Sequence, residues 1–269
     1  MSEETLKVRI KYAKMGVLKY IGHLDLMRFF QKAVKRADLD IAYSQGYSPH
    51  QLMSFAAPLA LGVTSEGEYF DAQFNSIISS DEFVRRFNEQ MVDGIFVKDV
   101  ILLPEGAKKA MSIVAASDYL ITVNHTHTGI DSKLIAKDKG IDTSLESNAK
   151  DEAIDMNSGN SLKEAIFSKV PHLLEKETIE VFRKTKKNEK VEDIKKGIYK
   201  LSVLDDKIYM YLATGSEYNL KPESVLEALC NEANVPFNKF DFQIHRIETY
   251  TKNELGELVS LLETGTRIE

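Results

Sequence analysis

A single cysteine, Cys230, in 269 residues excludes an intrachain disulfide and any zinc site built on paired thiolates. No base or cation-rich motif flanks it, so it reads as a buried helix residue, not a reactive thiol. The absence of CxxxCxxC excludes a radical-SAM cluster held by this chain. No apolar run approaches the roughly 20 residues needed to cross a bilayer, and no N-terminal stretch looks like a signal peptide. A cytoplasmic protein without membrane contact is expected. Gly62–Gly67 lacks the Gly-Lys-Ser/Thr ending of a phosphate-binding loop. His125 and His127 share a strand face at i,i+2 but have no third ligand, so neither a metal nor a cofactor is expected.

Glutamate is also missing from the whole stretch between Thr5 and Gln51. From Thr5 to Leu52 nine Lys/Arg face three Asp, a local charge of +6 on a chain whose total is −6. A positive region on an acidic protein points to an anionic partner met by one face. Part of that charge sits on one amphipathic helix. Leu26, Phe29, Phe30, Ala33, Val34 and Ala37 form an apolar stripe at helical period. Arg28, Lys32 and Lys35 occupy another face with Arg36 beside them, although like charges at i,i+4 cost a few tenths of a kcal/mol per pair.

The remaining pattern gives an α+β protein. Leu6–Ala13 alternates as a strand, the helix follows, and Asp40–Tyr43 reads as a second strand. Glu66–Asn75 alternates again, Ser79 or Ser80 caps a second helix, and Ile95–Leu103 is a strong strand. The order β-α-β-β-α-β is that of a split βαβ, ferredoxin-like unit. The second half repeats it: a strand at Tyr119–Val123, a helix capped by Ser161 and closed by Pro171, a hairpin around Asp205-Asp206, a helix opened by Pro222 and a strand at Phe240–Tyr250. Two tandem ferredoxin-like units with antiparallel sheets are therefore expected. The first spans 1–108, the second 109–250 with a flexible insert at about 126–160, and 251–269 form a weakly patterned tail.

The densest polar chemistry lies at the two ends of the first helix. His23, Asp25 and Arg28 stand at its start, where free N–H groups suit an anion. Capping plus a surface ion pair, worth at most about 1 kcal/mol, is the plainer reading. Beyond the helix come Tyr43, Ser44, Gln45, Gly46, Tyr47, Ser48, Pro49 and His50. Tyrosines among hydrogen-bonding neighbours suit the bases of a single strand, and Gly46 permits close backbone approach. His23 and His50 are the candidate catalytic residues if the chain cleaves RNA, because metal-free cleavage needs two titratable groups about one phosphate.

Several of these strings resemble one family. Lys11-Tyr12-x-Lys14-x-Gly16, Tyr20–Arg28, Ala42–His50 and Pro58–Tyr69 are similar to the bacterial "radical SAM-linked protein" family, with weaker echoes at Val191–Lys195, Leu220–Pro222 and Ile244–Arg246. Gln51-Leu52 departs from the family's usual basic pair, which removes an expected phosphate contact, and Gly22 replaces a usual Ser. The resemblance implies a chain encoded beside, or fused to, a radical-SAM protein, near genes of RNA processing and the ribosome. It implies a radical-SAM protein as partner, and tRNA or rRNA as nucleic acid. The tandem arrangement is also similar to the repeat-associated RNA-binding proteins of CRISPR systems, a likeness of fold alone. Three functions follow as expectations. The first is an RNA-binding or substrate-presenting accessory protein of a radical-SAM enzyme, using the basic helix and the Tyr43–His50 loop. The second is a metal-independent endoribonuclease using His23 and His50. The third is an interaction scaffold without nucleic acid.

The insert yields a direct test. Between Thr126 and Ser161 seven acids face four lysines, and the scattered aliphatics keep no period. Such composition cannot offset roughly 1–2 kcal/mol per residue of backbone entropy. Replacing 126–160 by a short Gly/Ser linker should leave the urea midpoint nearly unchanged, since closure entropy varies slowly with length. A large drop in the midpoint would show a folded element there.

Overall fold

The computed structural model describes residues 5–124, 159–184 and 189–269. The insert expected at about 126–160, up to position 158, and the pair His125 and His127 lie outside them.

The first half runs β1 (Leu6–Lys14), α1 (His23–Arg36), β2 (Met53–Phe55), β3 (Thr64–Phe74), α2 (Ser80–Asn88) and β4 (Ile95–Leu102). β1 lies antiparallel between β3 and β4, and β2 pairs antiparallel with β3, so the strands stand in the order β4-β1-β3-β2. The edge strand is displaced from the expected Asp40–Tyr43. There Ala42 N donates to Gln73 O and Leu52 N donates to Ala42 O, leaving only isolated bridges at Ile41 and Tyr43. The ladder resumes at Met53, past the loop.

α1 forms where its stripe demands. Leu26, Phe30, Ala33 and Val34 are buried, Gly22 occupies the N-cap, Asp25 sits in the first turn and Lys35 and Arg36 in the last. That charge order suits the helix dipole. Phe30 packs on Tyr12, Phe70 and Phe87 with centroids 4.8, 5.0 and 5.9 Å apart. Such pairs add roughly 0.5–1.5 kcal/mol each beyond the area they bury. α2 is capped by the Ser79 hydroxyl, which accepts from Glu82 N at 3.4 Å.

The short α3 (Ala110–Ile113) leads to the second half: β5 (Val114–Val123), α4 (Gly159–Glu175), β6 (Glu180–Lys184), β7 (Glu189–Asp193), β8 (Ile198–Leu204), β9 (Lys207–Ala213), α5 (Pro222–Glu232), β10 (Phe242–Lys252) and β11 (Leu258–Ser260). α4 starts two residues before Ser161 and continues past Pro171, which costs it one internal bond without ending it. Asp205 and Asp206 take φ of 44° and 71°, the paired left-handed turn that a two-residue hairpin requires. β5 lies antiparallel between β10 and β9, and β8 pairs antiparallel with β9, giving the order β10-β5-β9-β8. β6 and β7 form a separate two-stranded sheet. Ile121, Ile208, Met210 and Ile244 share one core with Val225, Leu226 and Leu229 of α5.

The halves do not keep separate sheets. β10 runs parallel to β3 through His245↔Thr64 and Arg246↔Ser65, and nine strands become one mostly antiparallel sheet. Gly67 makes this approach possible: a Cβ there would stand 2.4 Å from Glu248 Cα. Residues 251–269 are ordered by distant partners. Ile268 N donates to Ser80 Oγ and Arg267 Nη1 to Asp99 Oδ1, while Thr264 Oγ1 accepts from Arg9. No helix among the described residues is long and apolar enough to cross a membrane.

Gly67→Ala should therefore lower unfolding free energy by about 1–3 kcal/mol, because the clash is with backbone and not with a pliable side chain. Urea unfolding measures this, and a variant as stable as the parent would show that the two strands do not depend on the contact.

Candidate functional site

Of the nine cations counted between Thr5 and Leu52, several are consumed inside the fold. Arg9 is fully buried, with Nε 2.8 Å from Asp71 Oδ1 and Nη2 3.1 Å from Lys108 O. Lys14 is buried and donates to Ile21 O at 2.8 Å; burial lowers its pKa. Lys11 pairs with Glu248. The exposed cations of this stretch are thereby those of α1, while Lys7 donates to Ala107 O at 2.7 Å and Lys19 stays half-exposed on the turn before the helix.

Arg28, Lys32, Lys35 and Arg36 are all exposed on that helix. Arg28 reaches Asp25 at 3.4 Å with both side chains 70% exposed, a pair too solvated to hold the guanidinium. Arg36 donates to Gln90 O at 3.1 Å. The Lys35 ammonium stands 5.5 Å from the Tyr43 ring centroid and, with Gln51, holds the Tyr43 hydroxyl below the usual tyrosine pKa. Gln51, read from sequence as a lost basic contact, is instead buried and anchors the loop. Its Nε2 donates to Gln31 O at 3.0 Å on α1 and lies 3.4 Å from the Tyr43 hydroxyl. The loop closes on itself: Ser44 N donates to His50 O, and Ser44 Oγ lies 2.8 Å from His50 Nδ1. Gly46, at φ 114°, turns the tip, where Gln45 is exposed and Tyr47 is fully in solvent. The structure thus brings the last two turns of α1 and the 43–50 loop onto one surface, with Lys35 against Tyr43 at the seam.

The histidines stand apart in their surroundings. His23 lies at the start of α1, its ring edge-on to Phe55 with centroids 5.5 Å apart, in a small hollow that Tyr12 and Lys14 also line. His50 lines a different groove of about 150 Å³ with Lys7, Asp71 and Lys109. Among the described residues no group of three or more His, Cys, Asp or Glu is placed to hold a metal.

Several residues at the junction of the halves carry more than their sequence pattern suggested. Arg246 is buried, with Nη1 2.8 Å from Glu68 Oε1 and Nη2 3.3 Å from the Tyr119 hydroxyl. Beside it His245 Nδ1 is 2.9 Å from Thr64 Oγ1 and Nε2 is 3.8 Å from Glu66 Oε1, while Glu66 accepts from Lys98 at 2.6 Å. Glu68, His245 and Arg246 stood in strings that carried the resemblance, whereas Tyr119 and Lys98 fell only within expected strands.

A family model described as DUF2344, an uncharacterized protein conserved in bacteria, matches residues 7–222. The chain belongs to the DUF2344 family. None of the curated proteins matches it in sequence. The matched span contains α1, the 43–50 loop and Glu68, so the basic surface lies within the DUF2344 region. β10, with His245 and Arg246, lies beyond it.

His245 gives this DUF2344 member a pH dependence of known sign. Burial lowers its pKa from 6.5, Lys207 and Lys98 add to that, and Glu66 and Asp118 oppose it. The unfolded chain then takes up this proton at a higher pH than the folded one, so stability rises with pH across the interval. The contribution is complete above the ordinary imidazole range and is lost as pH falls through it. His245→Gln should flatten the urea midpoint between about pH 7 and 5. Parallel pH profiles for parent and variant would contradict this.

Proposed function

We propose that this DUF2344 protein is an RNA-binding or substrate-presenting accessory protein of a radical-SAM enzyme, acting in RNA modification or processing in the cytoplasm. The observation that carries this reading is the run of exposed cations Arg28, Lys32, Lys35 and Arg36 along α1, with Lys35 standing over Tyr43 of the Tyr43–His50 loop. Ammonium and guanidinium groups at helical spacing match a phosphate backbone, and exposed tyrosines beside them offer stacking faces to unpaired bases. The enzyme partner is implied by the resemblance to the radical SAM-linked proteins.

The same reading takes the chain as two tandem ferredoxin-like units. It is supported by the equivalent strand orders β4-β1-β3-β2 and β10-β5-β9-β8, each with its helices in the split βαβ positions of the sequence. Sheets of this kind serve as platforms for single-stranded RNA in other proteins.

Filter retention of labelled tRNA and rRNA fragments across a salt series tests the proposal. The parent should bind with a log–log salt slope of several units. Lys32→Glu combined with Lys35→Glu should weaken retention at least about tenfold and reduce the slope by roughly 1 to 2. Loss of binding in the variant without any change of slope, or no retention by the parent alone or with its enzyme partner, would overturn it. Copurification with a radical-SAM protein in the absence of any RNA retention would point to the scaffold role.

A further inference from the structure

A sizeable hollow lies away from the basic helix. It is a cleft of about 590 Å³ where the two halves of the sheet meet, within the range of ordinary ligand sites. Its floor comes from β10 and β5. Phe242 and Ile244 point into the core shared with α5, so by strand alternation Gln243 and His245 turn to the opposite face, beside Thr122 and Leu120. One wall is the short 3-10 turn Gly16–Tyr20, and Thr64 and Glu66 of β3 close the other side. A second hollow of about 330 Å³ adjoins the first at Lys19, Tyr20 and Gln243 and is lined on its other side by Phe242, Ile244 and Leu226 from the helix-covered face of the sheet.

Its chemistry is specific. Two large aromatic side chains in it are left in solvent: Tyr20, 67% exposed, on the shared wall and Phe240, 65% exposed, in the second hollow. Each carries a lysine over its ring, Lys19 at 5.3 Å and Lys239 at 4.9 Å. Lys207 lies at the far side of the first hollow. Of the two carboxylates that line the hollows, Glu66 is already taken by Lys98 and Glu223 stands in the second, so Lys19, Lys207 and Lys239 outnumber the one that remains. Gln243 and Asn124 add amides able to donate and accept toward a base edge. Exposed rings each flanked by an ammonium, along a groove with amides at its floor, match stacked bases joined by phosphates.

We infer that this cleft binds a short run of single-stranded RNA, with two bases on Tyr20 and Phe240 and the linking phosphates held by Lys19, Lys207 and Lys239. This rests on the RNA-binding reading above and extends it to a second, separate surface. The basic helix then takes up a structured RNA by its backbone, and the cleft receives an unpaired segment of it.

Fluorescence anisotropy with labelled hexauridylate and with tRNA, on the full chain, tests the inference. The parent should bind both. Tyr20→Ala combined with Phe240→Ala should weaken hexauridylate binding at least about tenfold, since both stacking faces are removed. Lys32→Glu combined with Lys35→Glu should change it less than about threefold and act on tRNA instead. Both aromatic side chains are exposed, so the first variant should unfold at the same urea concentration as the parent; if it does not, Lys207→Glu with Lys239→Glu replaces it and should give the same loss. Equal hexauridylate binding by parent and cleft variants overturns the cleft and leaves the helix reading standing. So does tRNA binding by a parent that ignores hexauridylate. Failure of the parent to bind either RNA overturns both.

Discussion

Where β10 comes alongside β3, His245 faces Thr64 and Arg246 faces Ser65, and at that point two separate strand sets become one sheet. The join is short and in the less favourable parallel sense, so it needs help from side chains. Arg246 supplies it from β10 by reaching Glu68 at 2.8 Å, and Tyr69 of β3 donates to Glu248 at 2.8 Å. Breaking one partner of a buried ion pair costs far more than the pair contributes, because a charge is then stranded away from water. The absence of a side chain at Gly67 lets the backbones close to contact. The cleft depends on this join. It exists only because the halves meet there, and the turn Gly16–Tyr20 that walls it leads directly into α1.

The part of this arrangement legible in sequence is the part fixed by local period. The stripe of α1, the alternation of β1 and β3, the Asp205-Asp206 turn and the Pro222 helix start all appear where spacing puts them. So do the exposed cations of α1, because a helix face is defined by residues three and four apart. The strand displaced from Asp40–Tyr43 to Met53–Phe55 shows the limit: β-branched and aromatic residues mark a segment that can extend, and its hydrogen bonds with β3 decide whether it does. Arg9 shows another. Alternation sets it beside Lys7 and Lys11, yet Asp71 opposite it on β3 turns it into a buried pair that also gathers Thr264 from the far end of the chain.

The cleft was not legible at all, for a plain reason. Lys19, Thr64, Leu120, Lys207 and His245 come from five separate segments and share no spacing. Tyr20 and His245 each stood in a string that carried the family resemblance, but neither string announces a cavity. The basic surface, by contrast, is nearly continuous in sequence, with Gln51 tying the loop to Gln31 and Arg36 reaching Gln90 O as non-local contacts. The two surfaces also differ in chemistry. The helix presents charge with little shape, and suits a phosphate backbone of any sequence. The cleft presents rings, amides and a half-buried imidazole in a defined hollow, and is where selectivity for unpaired bases would arise.

The central claim is that this DUF2344 protein meets RNA on these two surfaces. The most direct test is to irradiate the full chain with cellular RNA and to map the covalent adducts by mass spectrometry. The account predicts nucleotide adducts on Tyr43 or Tyr47 and on Tyr20 or Phe240, with the rest of the surface clear. Adducts confined to other faces, such as the β8–β9 hairpin, or none at all under conditions that label a known RNA-binding protein, would contradict it.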